Sequence, residues 1–390
     1  DRAGVEELIG VYREAYARTA AQASIRGLGR VSDVLAPMDR VSLAVERLMG
    51  LPLEGRHADI PRLSGIREAY DLITGDWERH GVFRGERVTL ANANTTTMSQ
   101  VVANALNKVL LRQFEARPRW WAPIAYEEDF PTLNDVRWIS VGGFSDLDAV
   151  AEGGPYVEKA YGDHVETSAF VKRGNYIGLT LEMIDRDDVA AVRAIPRRLA
   201  HAAYRTLSAG VAGLFTANAG VGPLLSDGVA LFDAAGHGNL GTTALSGNAW
   251  QATVAAMFKQ QEAVSGKRLG VRPRYCLVPI DLEKAALEIF TSDVAPVDTA
   301  AYRNVLKRSE DSVLVVPEWT DATDWAAAAD PAELEGVCIG YRFGRTPELF
   351  VADGETSGAM FTNDEMRIKV RFIYALGIGD YRALYKHNVA

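Results

Sequence analysis

Apolar residues recur at helical spacing through the first part of the chain. Leu8, Ile9, Tyr12 and Tyr16 fall on one face, and Gly27 and Gly29 interrupt the pattern. Pro37 stands where a second helix can begin, and Val41, Leu43, Ala44, Leu48 and Met49 continue it until Gly50 and Pro52. Residues 51–63 read as a loop. Ser64 is placed to cap a further helix whose stripe is Ile66, Tyr70, Ile73 and Trp77. Thr97-Met98-Ser99-Gln100 has capping-box spacing. Behind it, Val101, Val102, Ala105, Leu106, Val109, Leu110 and Phe114 predict a helix with a wide face turned to the core. The Arg-Trp cluster at 117–121 ends that helix. Arginine beside tryptophan can stack bases, but here it is read as packing.

The pattern changes at residue 140. Residues 140–162 are polar and rich in glycine. "VETSAFVKR" then leads into Gly174-Asn175, a strong turn signal, and "YIGLTLEM" leads away with Ile177, Leu179, Leu181 and Met183 alternating as a buried face. The expectation is a long β-hairpin turning at Gly174-Asn175. A two-stranded ribbon is marginal alone in water and needs a surface to lie on. Residues 185–218 form a long helical stretch in which Pro196 either opens or kinks the main helix. Its face is Val192, Leu199, Ala203, Leu207, Val211, Leu214 and Phe215, and Gly210 and Gly213 allow close approach by neighbours. Beyond it lie a helix near 249–261, the strand "RYCLVP", and a helix "LEKAALEIF" capped by Asp281. Four more strands follow: "SVLVVPEW", "GVCIGYRF", "PELFVA" and "MRIKVRFIYALGI". There is no internal repeat, low-complexity tract or obvious linker.

Composition narrows the function. The 390 residues are 48% hydrophobic, as in a globular protein, and no window approaches the ~20 apolar residues of a membrane span. The net charge of −9 argues against a chain whose task is gripping nucleic acid. Cys276 and Cys338, the two cysteines, read as buried thiols in strands.

Candidate chemistry is sparse. "LFDAAGHGNL" brings Asp233 and His237 close in sequence, and Ser246 follows, so a Ser-His-Asp hydrolase is conceivable. Glycines on both sides of His237 leave it poorly held, and Ser246 lies outside any G-x-S-x-G elbow. The stretch is therefore read as a glycine turn carrying a surface histidine. "SGKR" at 265–268 fails as a phosphate-binding loop, since Gln261 and Arg268 replace the required Gly and Ser/Thr. Asp185, Asp187 and Asp188 are first explained by a helix start. The six histidines show no zinc spacing. No catalytic, cofactor or metal residue is assigned, and the chain is read as structural, not an enzyme.

The order of these pieces resembles the major capsid proteins of tailed bacteriophages, most nearly the Mu-like major head subunits. The resemblance covers about residues 140–390. It is carried by "GNYIGLTLEMIDRDDVAAVRAIPRRLAHAAYRTLSAGVAGLF", "DGVALFDAAGHGNL", "LGVRPRYCLVPIDLEKAALEIFTS" and "FTNDEMRIKVRFIYALGIGDYRALYKHN". It implies an α+β tailed-phage capsid fold of the Hong Kong phage type. Residues 1–90 would be a helical segment and arm, and 91–143 a peripheral-domain helix and lead-in. Residues 144–182 would be the extended loop, and 183–218 the spine helix. Residues 219–350 would form mainly the axial domain, and 351–390 the return strands of the peripheral domain.

The implied function is self-assembly of hexamers and pentamers into an icosahedral head around double-stranded DNA, bound without sequence specificity. Within the extended loop Tyr156, Lys159, Val165, Phe170 and Lys172 would touch the neighbouring subunit. No cross-link through Lys159 or Lys172 is expected, since both read as solvated edge charges. A portal, a scaffold or maturation protease, and possibly a decoration protein are the implied partners. Asp1, at the head of a helical pattern, would be the end such a protease leaves. The place of action would be the virion, after assembly in the bacterial cytoplasm. The alternatives are an encapsulin-like compartment shell packaging protein cargo and, from another class, the His237/Ser246 hydrolase.

Overall fold

The structure is a computed structural model. It describes residues 37–53, 60–65, 68–69, 71, 95–141, 149–150, 152–153, 156, 158, 163–180, 182, 189–262, 266–294, 303–352, 358–363 and 365–389. The expected helix at 8–16, most of the helix after Ser64, the acids Asp185, Asp187 and Asp188, and Lys159 lie outside these residues.

In chain order the elements are α1 (Pro37–Leu48), α2 (Thr95–Glu115), β1 (Ala125–Asp129), β2 (Val136–Val141), β3 (Asp163–Ser168), β4 (Val171–Thr180) and α3 (Val189–Gly220). Then come β5 (Leu240–Gly241), α4 (Gly247–Lys259), β6 (Pro273–Val278), α5 (Glu283–Thr291), β7 (Val313–Val315) and β8 (Trp325–Ala329). The chain closes with β9 (Val337–Arg342), β10 (Glu348–Ala352), α6 (Gly358–Asn363), β11 (Glu365–Ile378) and β12 (Leu384–His387). The class is α+β, as the resemblance implies.

The chain forms two compact units, each assembled from three separate segments. They do not follow the six consecutive segments of the sequence reading, because strands far apart in the chain pair with one another.

The first unit comprises residues 1–117, 173–204 and 346–372. Pro37 opens α1 as expected, and Val41, Ala44, Val45 and Leu48 are fully buried. Helix α2 packs on α1 and turns Ala105, Leu106, Val109, Leu110 and Phe114 inward, the predicted face. Phe114 meets Phe372 edge to face at 5.7 Å, and Lys108 pairs with Glu46 at 2.5 Å. The first half of β11 pairs antiparallel with β10, Val351 opposite Ile368, and β4 also pairs with β11.

Here the hairpin expectation fails. Strand β4 runs straight through Gly174-Asn175, with no turn there. A side chain at 174 would strike the carbonyl of Val370, so the glycine serves a close backbone approach between strands. Residues 171–176 of β4 are exposed and Ile177 is half-buried, while the side chains of Leu179, Leu181 and Met183, the rest of the expected buried face, lie outside the described residues. Pro196 neither opens nor breaks α3. The non-helical residues lie at Ala217, Asn218 and Ala219, where the helix ends.

The second unit comprises residues 118–172, 205–345 and 373–390. One sheet has the order β5-β12-β8-β6-β7. Its central strand β8, Trp325 followed by four alanines, is buried throughout. Alanine has little preference for strands, so this element leaves no periodic trace in the sequence. A second set pairs β1 with β9 in parallel and β9 with the last third of β11 antiparallel. Strand β3 pairs with β2, Trp138 opposite Glu166, and not with β4. The ribbon of this chain is therefore β2–β3, joined by residues 142–162.

Cys276 and Cys338 are buried free thiols in β6 and β9, as read from sequence, and burial pushes both well above the ordinary thiol range. Gly210 of α3 lies so close to the Leu376 side chain that an added methyl group would overlap it. Asp281 sits in a short 3₁₀ turn ahead of α5, and no side-chain cap forms there. Among the described residues no helix is long and apolar enough to cross a membrane.

Candidate functional site

The loop between α3 and α4 holds the candidate triad, and its geometry decides against the triad. Asp233 accepts the backbone N–H groups of Ala235 (2.9 Å) and Gly236 (2.5 Å), so its carboxylate closes a tight turn. His237 is 4% exposed, which corrects the reading of it as a surface residue. Its Nε2 meets Asp227 Oδ2 at 2.8 Å, its Nδ1 meets the Leu231 carbonyl at 3.1 Å, and its ring stacks on Tyr381 at 3.8 Å. Gln260 donates to the His237 carbonyl at 2.8 Å. A catalytic base needs one ring nitrogen directed at a reacting group, whereas both of these are engaged by the fold. Ser246 caps α4, its Oγ accepting from the Ala249 N–H at 3.1 Å. These residues act as turn former, buried strut and helix cap.

The same loop is stitched to the carboxyl-terminal segment. Asn239 is buried; its amide donates to the carbonyls of Leu231 (2.9 Å), Tyr381 (3.3 Å) and Leu384 (3.3 Å), and its Oδ1 accepts from the Asp233 N–H at 3.0 Å. Asp380 and Arg382 pair at 3.0 Å while nearly fully buried. Lys386, 1% exposed, donates to Asp324 (2.8 Å), to the Gly220 carbonyl (2.9 Å) and to Asn388. His387 stacks on Trp325, accepts the Thr243 N–H at Nδ1 (3.2 Å) and meets Thr253 Oγ1 at Nε2 (2.9 Å). A side chain at Gly241 would overlap the His387 ring. Asn239, Lys386 and His387 carry no sequence signal of this role, because each also bonds a partner far off in the chain: Leu384, Gly220 and Thr253 respectively. Buried polar groups paired in this way, as Asn239, Lys386 and His387 are, rigidify a fold.

Of the expected contact residues, Tyr156 is 89% exposed and Lys172 is exposed. Val165 is half-buried. Phe170 turns inward instead, against Phe130 at 6.0 Å, beside the cluster of Val136, Trp138, Cys338 and Ala375. The ribbon is rooted there as well. Trp138 Nε1 donates to Ser168 Oγ at 3.0 Å, and Glu166 accepts the Ser226 N–H (3.0 Å) and Oγ–H (2.7 Å). Outside these roots it exposes the large apolar side chains Ile139, Val150 and Tyr156, and Leu133 ahead of it and Val171 after it are exposed as well. Gln261 and Arg268 form an antiparallel bridge, and Gly266 between them has a positive φ of 63°. Among the described residues no cluster of metal-ligand side chains occurs.

Residues 165–387 match the phage capsid protein family, and the chain belongs to that family. It is a structural shell protein of the phage head, a component of the virion. Among solved structures the chain is similar to one from Mycobacterium phage Adephagia, with TM-score 0.49 and 13% identity, covering 70% of this chain and 91% of that one. It is similar also to one from Microbacterium phage Oxtober96, with TM-score 0.44 and 12% identity, covering 70% and 93%. A third is "Capsid of native GTA particle computed with C5 symmetry", with TM-score 0.46 and 14% identity, covering 70% and 92%. No curated protein matches the chain.

Proposed function

We propose that this chain is the major subunit of a closed icosahedral head of the tailed-phage, Hong Kong type, in the Mu-like group, and that hexamers and pentamers of it enclose double-stranded DNA. One observation carries this reading. The ribbon and its flanks expose Leu133, Ile139, Val150, Tyr156 and Val171 to water while the ribbon's base is anchored by buried hydrogen bonds. Large apolar side chains left exposed on a firmly rooted extension fit a contact with another copy. The extended loop is then the ribbon β2–β3 with residues 142–162. Tyr156 and Lys159 are its proposed contact residues, with Lys172 just after it in β4, while Val165 and Phe170 serve its root. In this reading residues 1–90 are the arm, α3 is the spine helix, and 219–350 supplies most of the axial domain. A portal, a scaffold or maturation protease, and assembly in the bacterial cytoplasm belong to the same proposal. The net charge of −9 suits a wall that must not hold its DNA tightly.

The test is to replace residues 146–160 by a short Gly/Ser turn, keeping β2 and β3. The expected result is a soluble subunit with an unchanged cooperative melt that forms no closed particles in negative stain. Normal particles would remove the ribbon from the assembly contact. A compartment shell packaging protein cargo would instead yield particles containing protein and no DNA.

A further inference from the structure

The second unit carries a groove whose chemistry is opposite to that of the chain as a whole. It lies between α4, the Arg268–Arg272 segment and residues 305–308, and has a volume of about 390 Å³. Five of its lining residues, Lys259, Arg268, Arg272, Lys307 and Arg308, are cationic and none is acidic, on a chain of net charge −9; Lys307 is paired with Asp293, which lies outside the lining. Its other walls are apolar: Val254, Leu306, Phe258, and Val305, which is 89% exposed. Arg308 donates to the carbonyls of Pro273 and Arg274 and lies over Trp250, and Arg272 lies over Phe258 at 5.3 Å. Burial and the nearby Arg272 both disfavour the Arg308 charge, so like charges are held together here at a cost.

The complementary surface is on the same chain. The turn Asp330-Pro331-Ala332-Glu333-Leu334-Glu335 is closed by Glu333 N–H and Leu334 N–H to the Asp330 carbonyl, at 2.9 and 3.1 Å, and by Ala332 N–H to Asp330 Oδ1. Asp330 pairs with Arg274, whereas Glu333 and Ala332 are exposed. Glu335 is held above the ordinary carboxylate range by burial and by Glu128, an acid–acid proximity within this patch. Leu334 and the 57% exposed Ile139 give the patch an apolar part.

We infer that the basic and apolar groove of one copy receives the acidic turn Asp330–Glu335 of a second copy. The inference rests on the proposed self-assembly. A nucleic-acid backbone offers charge but nothing for Val305 and Phe258, whereas a turn carrying Glu333, Ala332 and Leu334 offers both. Charge pairing of this kind fixes register and partner choice.

The full-length chain tests it in two ways. R268E/R272E should lower the yield of assembled particles at least tenfold with an unchanged subunit melt, as should E333K. Combining R268E/R272E with E333K should restore assembly. Particles in wild-type yield from R268E/R272E, or no recovery in the combination, overturn the inference. So do particles from R268E/R272E that form normally but lose DNA, which would make the groove a phosphate site. The second test does not depend on shell closure or on those variants folding. V305C/A332C under oxidising conditions should give a ladder of disulfide-linked oligomers, with neither single variant doing so. Absence of the ladder overturns the groove contact, while failure of wild-type protein to form closed particles bears only on the shell reading.

Discussion

The imidazole of His387 lies flat on the indole of Trp325, ring centroids 4.0 Å apart and planes 7° from parallel. The ring is 5% exposed, and burial lowers its pKa from 6.5 to about 4. Thr243 N–H donates to Nδ1, so the neutral ring carries its proton on Nε2, toward Thr253. The folded protein thus holds His387 neutral where the unfolded chain would protonate it. Between the two values the unfolded state binds more protons, so stability falls as pH drops from about 6.5 toward about 4. The loss is on the order of 3 kcal/mol. Urea unfolding of wild type and H387Q at pH 7 and pH 4.5 checks this. The difference between the two pH values should shrink in the variant, and an identical difference would contradict the assignment.

His237 and Ser246 should behave as structural residues of unequal weight. H237A removes a buried ring together with its Asp227 and Leu231 contacts, and is expected to cost about 2–3 kcal/mol. S246A removes a helix cap and should cost about 1 kcal/mol. Denaturant midpoints measure both. A hydrolase reading would require ester turnover by the wild-type protein that either variant abolishes.

The buried pair of Lys386 and Asp324 should respond asymmetrically. D324A leaves the ammonium of Lys386 buried without its counter-charge, at about 3–5 kcal/mol. D324A/K386M should recover part of that loss, because the uncompensated charge is gone. Thermal melts of the three proteins test it. Equal destabilisation in the single and double variants would show that the ion pair itself carries the effect.

Ala219 ends α3 with φ +54°, in the left-handed region, and is exposed. Glycine meets no steric penalty there. A219G is expected to raise stability by about 1 kcal/mol, read as a rise in the melting midpoint of a few degrees.

Sequence alone determined the elements whose signal is local. The apolar faces of α1 and α2, the stretch that becomes α3, and strands β6, β9, β10 and β11 were legible because side-chain periodicity repeats within each segment. The order of the pieces pointed to the capsid family. Tertiary structure decided what depends on partners distant in the chain. Gly174-Asn175 has the chemistry of a turn, yet Val370 holds it extended, because strand pairing with β11 outweighs a local turn preference. The alanines of β8 become a central strand only because β6 and β12 flank them. His237, between two glycines, reads as a surface residue until Asp227, Leu231 and Tyr381 enclose it. Periodicity records which face of an element is apolar. Which distant backbone, carboxylate or ring completes its surroundings is written only in the folded chain.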